Sequence, residues 1–263
     1  MARDNVMTEP GREVWSRLDE VFDPELDEPI TDLGFVEEVT VEGHAVRVMF
    51  RLPTYWCSPN FAFLMAEGIR REVSALPWVE TVEVRLEDHL CAEEMNEAVN
   101  KGESFATVFA ARLGGGDLDE VRDTFAKKAH QRRQETVIRG LRSQGLSPGE
   151  IADMTMADLD RVAFADPEEA LQLERYRRIL VEREMPRAPG DHAFPDPDGE
   201  PLTTAGFADR MRALRGVRIN MEFGTALCRG LKEARYKEHA TIDGEPTLVD
   251  FILDRVPARE SAG

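Results

Sequence analysis

Two prolines, Pro53 and Pro59, bracket the stretch Arg51-Leu-Pro-Thr-Tyr-Trp-Cys-Ser-Pro-Asn-Phe61, and they fix where one element must stop and the next begin. Neither position admits regular ladder pairing or a helix interior. The alternating run Val46, Val48, Phe50, Leu52 therefore reads as a strand that ends here. The run Phe61, Leu64, Met65, Gly68, Ile69, Val73 reads as a helix that starts here and stops before Pro77. Between them sits Cys57, with Tyr55 and Trp56 expected to shield one side of it. A helix opening after Pro59 aims free N–H groups and a positive end at that thiol, a setting that favours the thiolate, the form that binds metal or attacks an electrophile. A small buried hydrophobe is the commoner use of a lone cysteine.

The elements around this turn follow in order. Val14, Leu18, Val21 and Phe22 have helical spacing after Thr8 and Pro10. The segment Asp23 to Gly34 holds two prolines, a glycine and five acids, and reads as a structured turn region whose carboxylates cap helix ends and turns. Phe35–Val41 and Val46–Leu52 are strands joined at Glu42-Gly43-His44, and Val79–Leu86 is a third. Glu87 to Cys91 leads into a short helix that Gly102 stops. This succession gives an α+β fold over residues 1–110, a small mixed sheet with helices packed on one face. The loops at Asp23–Asp32, Thr54–Pro59 and Asp88–Cys91 are candidates to gather at one end.

The second part, residues 117–263, reads as a mainly α-helical C-terminal extension. Gly114-Gly115-Gly116 reads as a flexible joint before a long charged helix running to about Ser143. Ser147-Pro148-Gly149-Glu150 and Asp166-Pro167-Glu168 mark helix starts, and a Pro-rich loop occupies 186–201. A tail helix holds Phe223, Leu227 and Leu231, and beyond it come a turn at Asp243-Gly244 and an apolar run from Leu248 to Leu253. The basic stretches Lys127–Arg133 and Arg175–Arg178 read as solvated helix faces.

Charge narrows the partners. The net charge is −18, with −14 of it in residues 1–110. An acidic front half argues against nucleic acid and against anionic membranes, and suits a cation, a basic protein or simple solubility. Three cysteines, Cys57, Cys91 and Cys228, are too few and scattered for a disulfide framework. With no apolar leader or spanning run, a reducing cytoplasm is the expected compartment.

Asp23-Pro24-Glu25, then Pro29-Ile-Thr-Asp-Leu-Gly-Phe-Val36, then Thr54 and Cys57 followed by Pro59, resemble the MIP18 family, also called domain of unknown function 59. The resemblance spans roughly residues 10–103. It implies a small α+β domain without turnover of its own that assists insertion of iron–sulfur clusters into client proteins. Members include iron–sulfur assembly factors and PaaD-type proteins of the phenylacetate pathway. By this resemblance Cys57 matches the family's reactive cysteine, Asp23 and Glu25 its acidic pair, and Asp32 with Gly34 its structural turn. The chain departs from the family in having Ser58 between Cys57 and Pro59, and in its long C-terminal extension.

One cysteine cannot hold a cluster, which generally wants four protein ligands. The remaining ligands would come from a homodimer, from the client, or from Cys91, His89 and a carboxylate such as Asp23 or Glu25. The expected role is maturation of an iron–sulfur or other metal centre, with a transient cluster or iron at Cys57, acting on a client metalloenzyme beside other assembly factors. Two readings stand against it. One is a cluster-free folding or assembly chaperone for a di-iron monooxygenase. The other is a cysteine-dependent enzyme using Cys57 with His89 or His44. The sequence lacks His-Glu-x-x-His, Cys-x-x-Cys, Glu-x-x-His, a phosphate-binding loop and Gly-x-Ser-x-Gly, so the chain is expected not to be an enzyme, and not a di-iron oxygenase itself.

Overall fold

A computed structural model describes residues 8–113, 118–185 and 188–236. Along the first half run α1 (Glu9–Leu18), β1 (Phe22–Asp23), β2 (Glu28–Pro29), β3 (Val36–Glu42), β4 (Ala45–Arg51), α2 (Pro59–Ser74), β5 (Thr81–Glu87) and α3 (Ala92–Lys101). Then come α4 (Phe105–Leu113), α5 (Leu118–Ser143), α6 (Pro148–Ala152), α7 (Met156–Leu159), α8 (Pro167–Glu182) and α9 (Phe207–Tyr236). The expected joint at Gly114–Gly116, the turn at Asp243-Gly244 and the run Leu248–Leu253 lie outside the described residues. The chain divides into two compact units that do not follow chain order. One comprises residues 1–21, 30–101 and 225–263, the other residues 22–29 and 102–224.

The first unit is the α+β part. Its sheet has the order β3-β4-β5, with β3 antiparallel and β5 parallel to β4, so it is mixed as expected. Val46, Val48 and Phe50 of β4 and Val84 and Leu86 of β5 are buried on one face. The intervening residues point away from it: Arg47 pairs with Glu83 at 2.7 Å, and Arg51 with Glu87 at 2.9 Å. Val14 and Leu18 of α1 and Ala62, Met65, Ala66, Ile69 and Val73 of α2 belong to the same core. The buried stripe of α2 is thus turned slightly from the expected one, since Phe61 and Leu64 are only half-buried. Gly68 admits the neighbouring chain: a Cβ there would come within 3.0 Å of Val21. Helix α3 covers the outer edge of β5 with two amide side chains one turn apart. Asn96 bonds both the N–H and the C=O of Leu86, at 2.7 and 3.0 Å, and Asn100 does the same for Val84, at 2.8 and 2.9 Å. Each amide takes the place of a neighbouring strand and closes an edge that would otherwise template pairing.

The second unit is helical apart from the β1–β2 hairpin. Its core holds Val137, Ile138 and Leu141 of α5, Tyr176 and Leu180 of α8, and Phe194. A polar chain runs through it: Gln134 donates to Tyr176 Oη at 3.0 Å and to the Pro195 carbonyl, and Tyr176 donates to the Ala193 carbonyl at 2.9 Å. The basic stretches are only in part the solvated faces expected of them: Arg178 is exposed and Lys127 half-exposed. Arg133 is buried, Arg132 is nearly so, and Arg133 and Arg175 both lie against the Phe22 ring. The reason is the acidic hairpin, which supplies them with partners.

Candidate functional site

Cys57 ends a four-residue turn whose backbone bond runs from its N–H to the Thr54 carbonyl at 3.4 Å. Tyr55 and Trp56 occupy the two corner positions, which point outward in such a turn. They therefore do not shield the thiol: Tyr55 is 46% and Trp56 75% exposed. The Cys57 side chain folds back instead, with Sγ 3.2 Å from Thr54 Oγ1, and is half-buried. Ser58 is the N-cap of α2 and Pro59 its first residue, so Cys57 directly precedes a helix start as the sequence suggested.

The turn is fastened to the loop after β5. Leu90 N–H donates to the Tyr55 carbonyl at 2.9 Å, and His89 Nε2 lies 2.8 Å from the Cys57 carbonyl oxygen. His89 Nδ1 accepts from Cys91 N–H at 3.2 Å, which leaves Nε2 as the protonated nitrogen and donor to Cys57. The ring is buried, and burial lowers its pKa below the ordinary 6.5, with a smaller push from Arg235, against the raising effect of the Cys57 carbonyl. His89 is thus a neutral strut with both nitrogens engaged. Asp88 before it takes a left-handed φ of 52° and is held by Arg51 at 3.5 Å and, through its carbonyl, by Arg235 at 2.9 Å. Cys91 is buried where α3 begins. Cys228 lies half-buried on α9. Two of the three expected loops therefore meet at Cys57.

The third loop is divided between the units. Ile30 to Gly34 belongs to the first, where Gly34 closes its turn at a left-handed φ of 69°. Asp32, Leu33 and Gly34 line a cleft of about 360 Å³ with Arg229, Lys232 and Tyr236 of α9. Asp23 and Glu25 belong to the second unit. Asp23 is buried, and its Oδ1 accepts from the N–H groups of Glu25 at 2.8 Å and Leu26 at 2.9 Å. Burial raises its pKa to about 6 despite those two bonds. Glu25 is exposed. The capping role read for the loop's carboxylates describes Asp23 well.

A partner set the sequence did not reveal lies in the same hairpin. Asp27, at φ 51°, is buried and receives both Nε and Nη2 of Arg133, with Nε–Oδ2 at 2.9 Å. Arg132 donates to the carbonyls of Leu26 and Asp27 and to Glu28 at 3.0 Å. The signal available was two adjacent arginines in α5, more than 100 residues from their acids. Among the described residues no group of three or more His, Cys, Asp or Glu side chains converges as a metal site. No described helix is long and apolar enough to cross a membrane.

The sequence model of the iron–sulfur cluster assembly protein family matches residues 12–84. The match, over less than a third of the chain, supports the MIP18 resemblance read from the sequence. Comparison with curated proteins gives no match. The matched segment takes in Asp23, Glu25, the Asp32–Gly34 turn and Cys57, and ends within β5. His89 and Cys91 thus lie beyond the matched stretch, on the loop that fastens the Cys57 turn in place.

Proposed function

We propose that the chain is an assembly factor for iron–sulfur clusters or a related metal centre of a client metalloenzyme, with Cys57 as a transient ligand and no substrate turnover of its own. The carrying observation is the half-buried Cys57 thiol at a fastened turn within the segment matched to iron–sulfur cluster assembly proteins. One thiol is an incomplete ligand set, which suits a carrier that must let go. The cluster is cargo, and transfer is ligand exchange. An iron–Cys57 bond gives way to an iron–thiolate bond from the client, the client's thiol loses its proton and the Cys57 thiolate gains one, with no change of oxidation state. Tyr55, Trp56 and Leu90 (62% exposed) surround the turn with apolar surface for the client to meet.

Anaerobic reconstitution of the full chain with ferrous iron and sulfide, followed by an absorbance scan and transfer to an apo iron–sulfur acceptor, tests this. The expected result is a chromophore that Cys57→Ser abolishes together with transfer. A Cys57→Ala chain that loads and transfers as well as the parent would defeat the proposal. A chain that binds no cluster yet restores a client favours the chaperone reading.

A further inference from the structure

The last turn of α9 grips the loop that carries His89. Lys232 pairs with Glu37 of β3 at 2.7 Å, which seats the turn on the sheet. Arg235 Nη2 donates to the Asp88 carbonyl at 2.9 Å. The centroid of the Tyr236 ring lies 4.8 Å from the guanidinium of Arg235 and 5.4 Å from that of Arg51. Arg51, the last residue of β4, faces the Asp88 carboxylate at 3.5 Å and pairs with Glu87 at 2.9 Å. Asp88 is therefore held at its carbonyl by α9 and at its side chain by the end of β4. All of these residues belong to the first unit.

Asp88 has a φ of 52°, a conformation that L residues adopt at a cost and keep where their surroundings impose it. The two residues after it then bond the thiol's turn. His89 Nε2 meets the Cys57 carbonyl at 2.8 Å, and Leu90 N–H meets the Tyr55 carbonyl at 2.9 Å. Arg235 Nη1 is meanwhile shut from water with no partner among the described residues, which a guanidinium serving only for solubility would avoid.

We propose that Arg235 is a positioning residue for Cys57, acting through Asp88 and the two bonds that follow it, so that the C-terminal extension completes the thiol's site. The stretch matched to iron–sulfur cluster assembly proteins ends at residue 84, so it contains the cysteine turn but neither the loop that fastens it nor the arginine that grips that loop. A turn held in one conformation presents its thiol to an incoming metal with less ordering left to do. That Cys57 is a ligand rests on the function proposed above; the hold of Arg235 on the Cys57 turn does not.

Maleimide labelling of the full chain, with Cys57 read by peptide mass, tests this without iron, so its outcome is separate from that of the reconstitution. Arg235→Met keeps an apolar stem beside Tyr236 and removes the donor and the charge. Cys57 should then label about fivefold faster, the change that loss of one hydrogen bond allows. Arg235→Lys restores a donor and the charge, enough for a one-pronged contact, and should bring the rate back to within about twofold of the parent. In a His89→Ala chain R235M should accelerate labelling less than it does in the parent, because one of the two links it acts through is already cut. A Cys57 rate unchanged in R235M, a rate that R235K leaves as high as R235M does, or fully additive effects of R235M and H89A would each overturn the proposal.

Discussion

The ring of His89 reaches Cys57 through its backbone: Nε2–H donates to the Cys57 carbonyl at 2.8 Å while Nδ1 accepts from Cys91 at 3.2 Å. One neutral imidazole therefore sets the conformation of the turn that presents the thiol, and acts as a positioning residue. His89→Ala strands a carbonyl and an N–H, at a cost of about 1–3 kcal/mol. The expected signs are a lower melting temperature and faster maleimide labelling of Cys57. An unchanged labelling rate would remove His89 from this role.

Asp23 separates a turn-forming role from a ligand role. Asp23→Asn keeps the oxygen that accepts from Glu25 and Leu26 and removes a buried charge. The folded-state pKa is raised, from 3.8 to about 6, so the stability it contributes is full below 3.8 and is lost as pH rises through about 6. At pH 7 D23N should therefore be neutral or stabilising, by up to about 3 kcal/mol, while Asp23→Ala loses both bonds and costs about 1–2 kcal/mol. Loss of cluster uptake in a well-folded D23N chain would instead make the carboxylate a ligand.

The Arg133–Asp27 pair should behave as a buried ion pair does. Arg133→Met leaves the buried Asp27 carboxylate with only its longer contact to Arg132, at 3.8 Å, and costs about 3–5 kcal/mol, and Arg133→Lys recovers little because the lost contact is two-pronged. Adding Asp27→Asn to R133M should regain part of the loss, since Asn tolerates the left-handed backbone there. Chemical denaturation of the parent, R133M, D27N and the double variant measures the coupling.

His130 makes the helical unit sensitive to acid. It is fully buried beside Tyr176, and neither ring nitrogen has a hydrogen-bond partner in the protein. Burial chiefly, with the charges of Arg183, Arg210 and Arg133, lowers its pKa from 6.5 to about 4, while Asp196 opposes them. A depressed folded-state pKa means that the unfolded chain takes the proton first. Stability falls as pH drops from about 6.5 through 4, by roughly 3 kcal/mol in all. His130→Leu should flatten that slope in melts recorded across the window, and should not destabilise the chain at pH 7.

Local pattern carried most of the first unit. The alternation in β4, the proline brackets at 53 and 59 and the apolar stripe of α2 are dictated within a few residues, and the structure follows them closely. It also repeats the capping box at Ser147 and Glu150, whose two reciprocal bonds need only the spacing of one helical turn. Helix α4 was not read, because its nine residues follow the Gly102 stop at once and offer no strong start signal.

What the sequence by itself determined is most of the longer elements, the mixed sheet and the place of Cys57 between a strand and a helix, because backbone geometry and hydrophobic period act over short distances. Tertiary structure alone decided that Tyr55 and Trp56 face water, that His89 spans 32 residues to hold the Cys57 carbonyl, and that Arg133 reaches across 106 to Asp27. These depend on which surfaces meet after the chain collapses. An arginine or a histidine reads the same in a sequence whether it ends in solvent or against a buried partner.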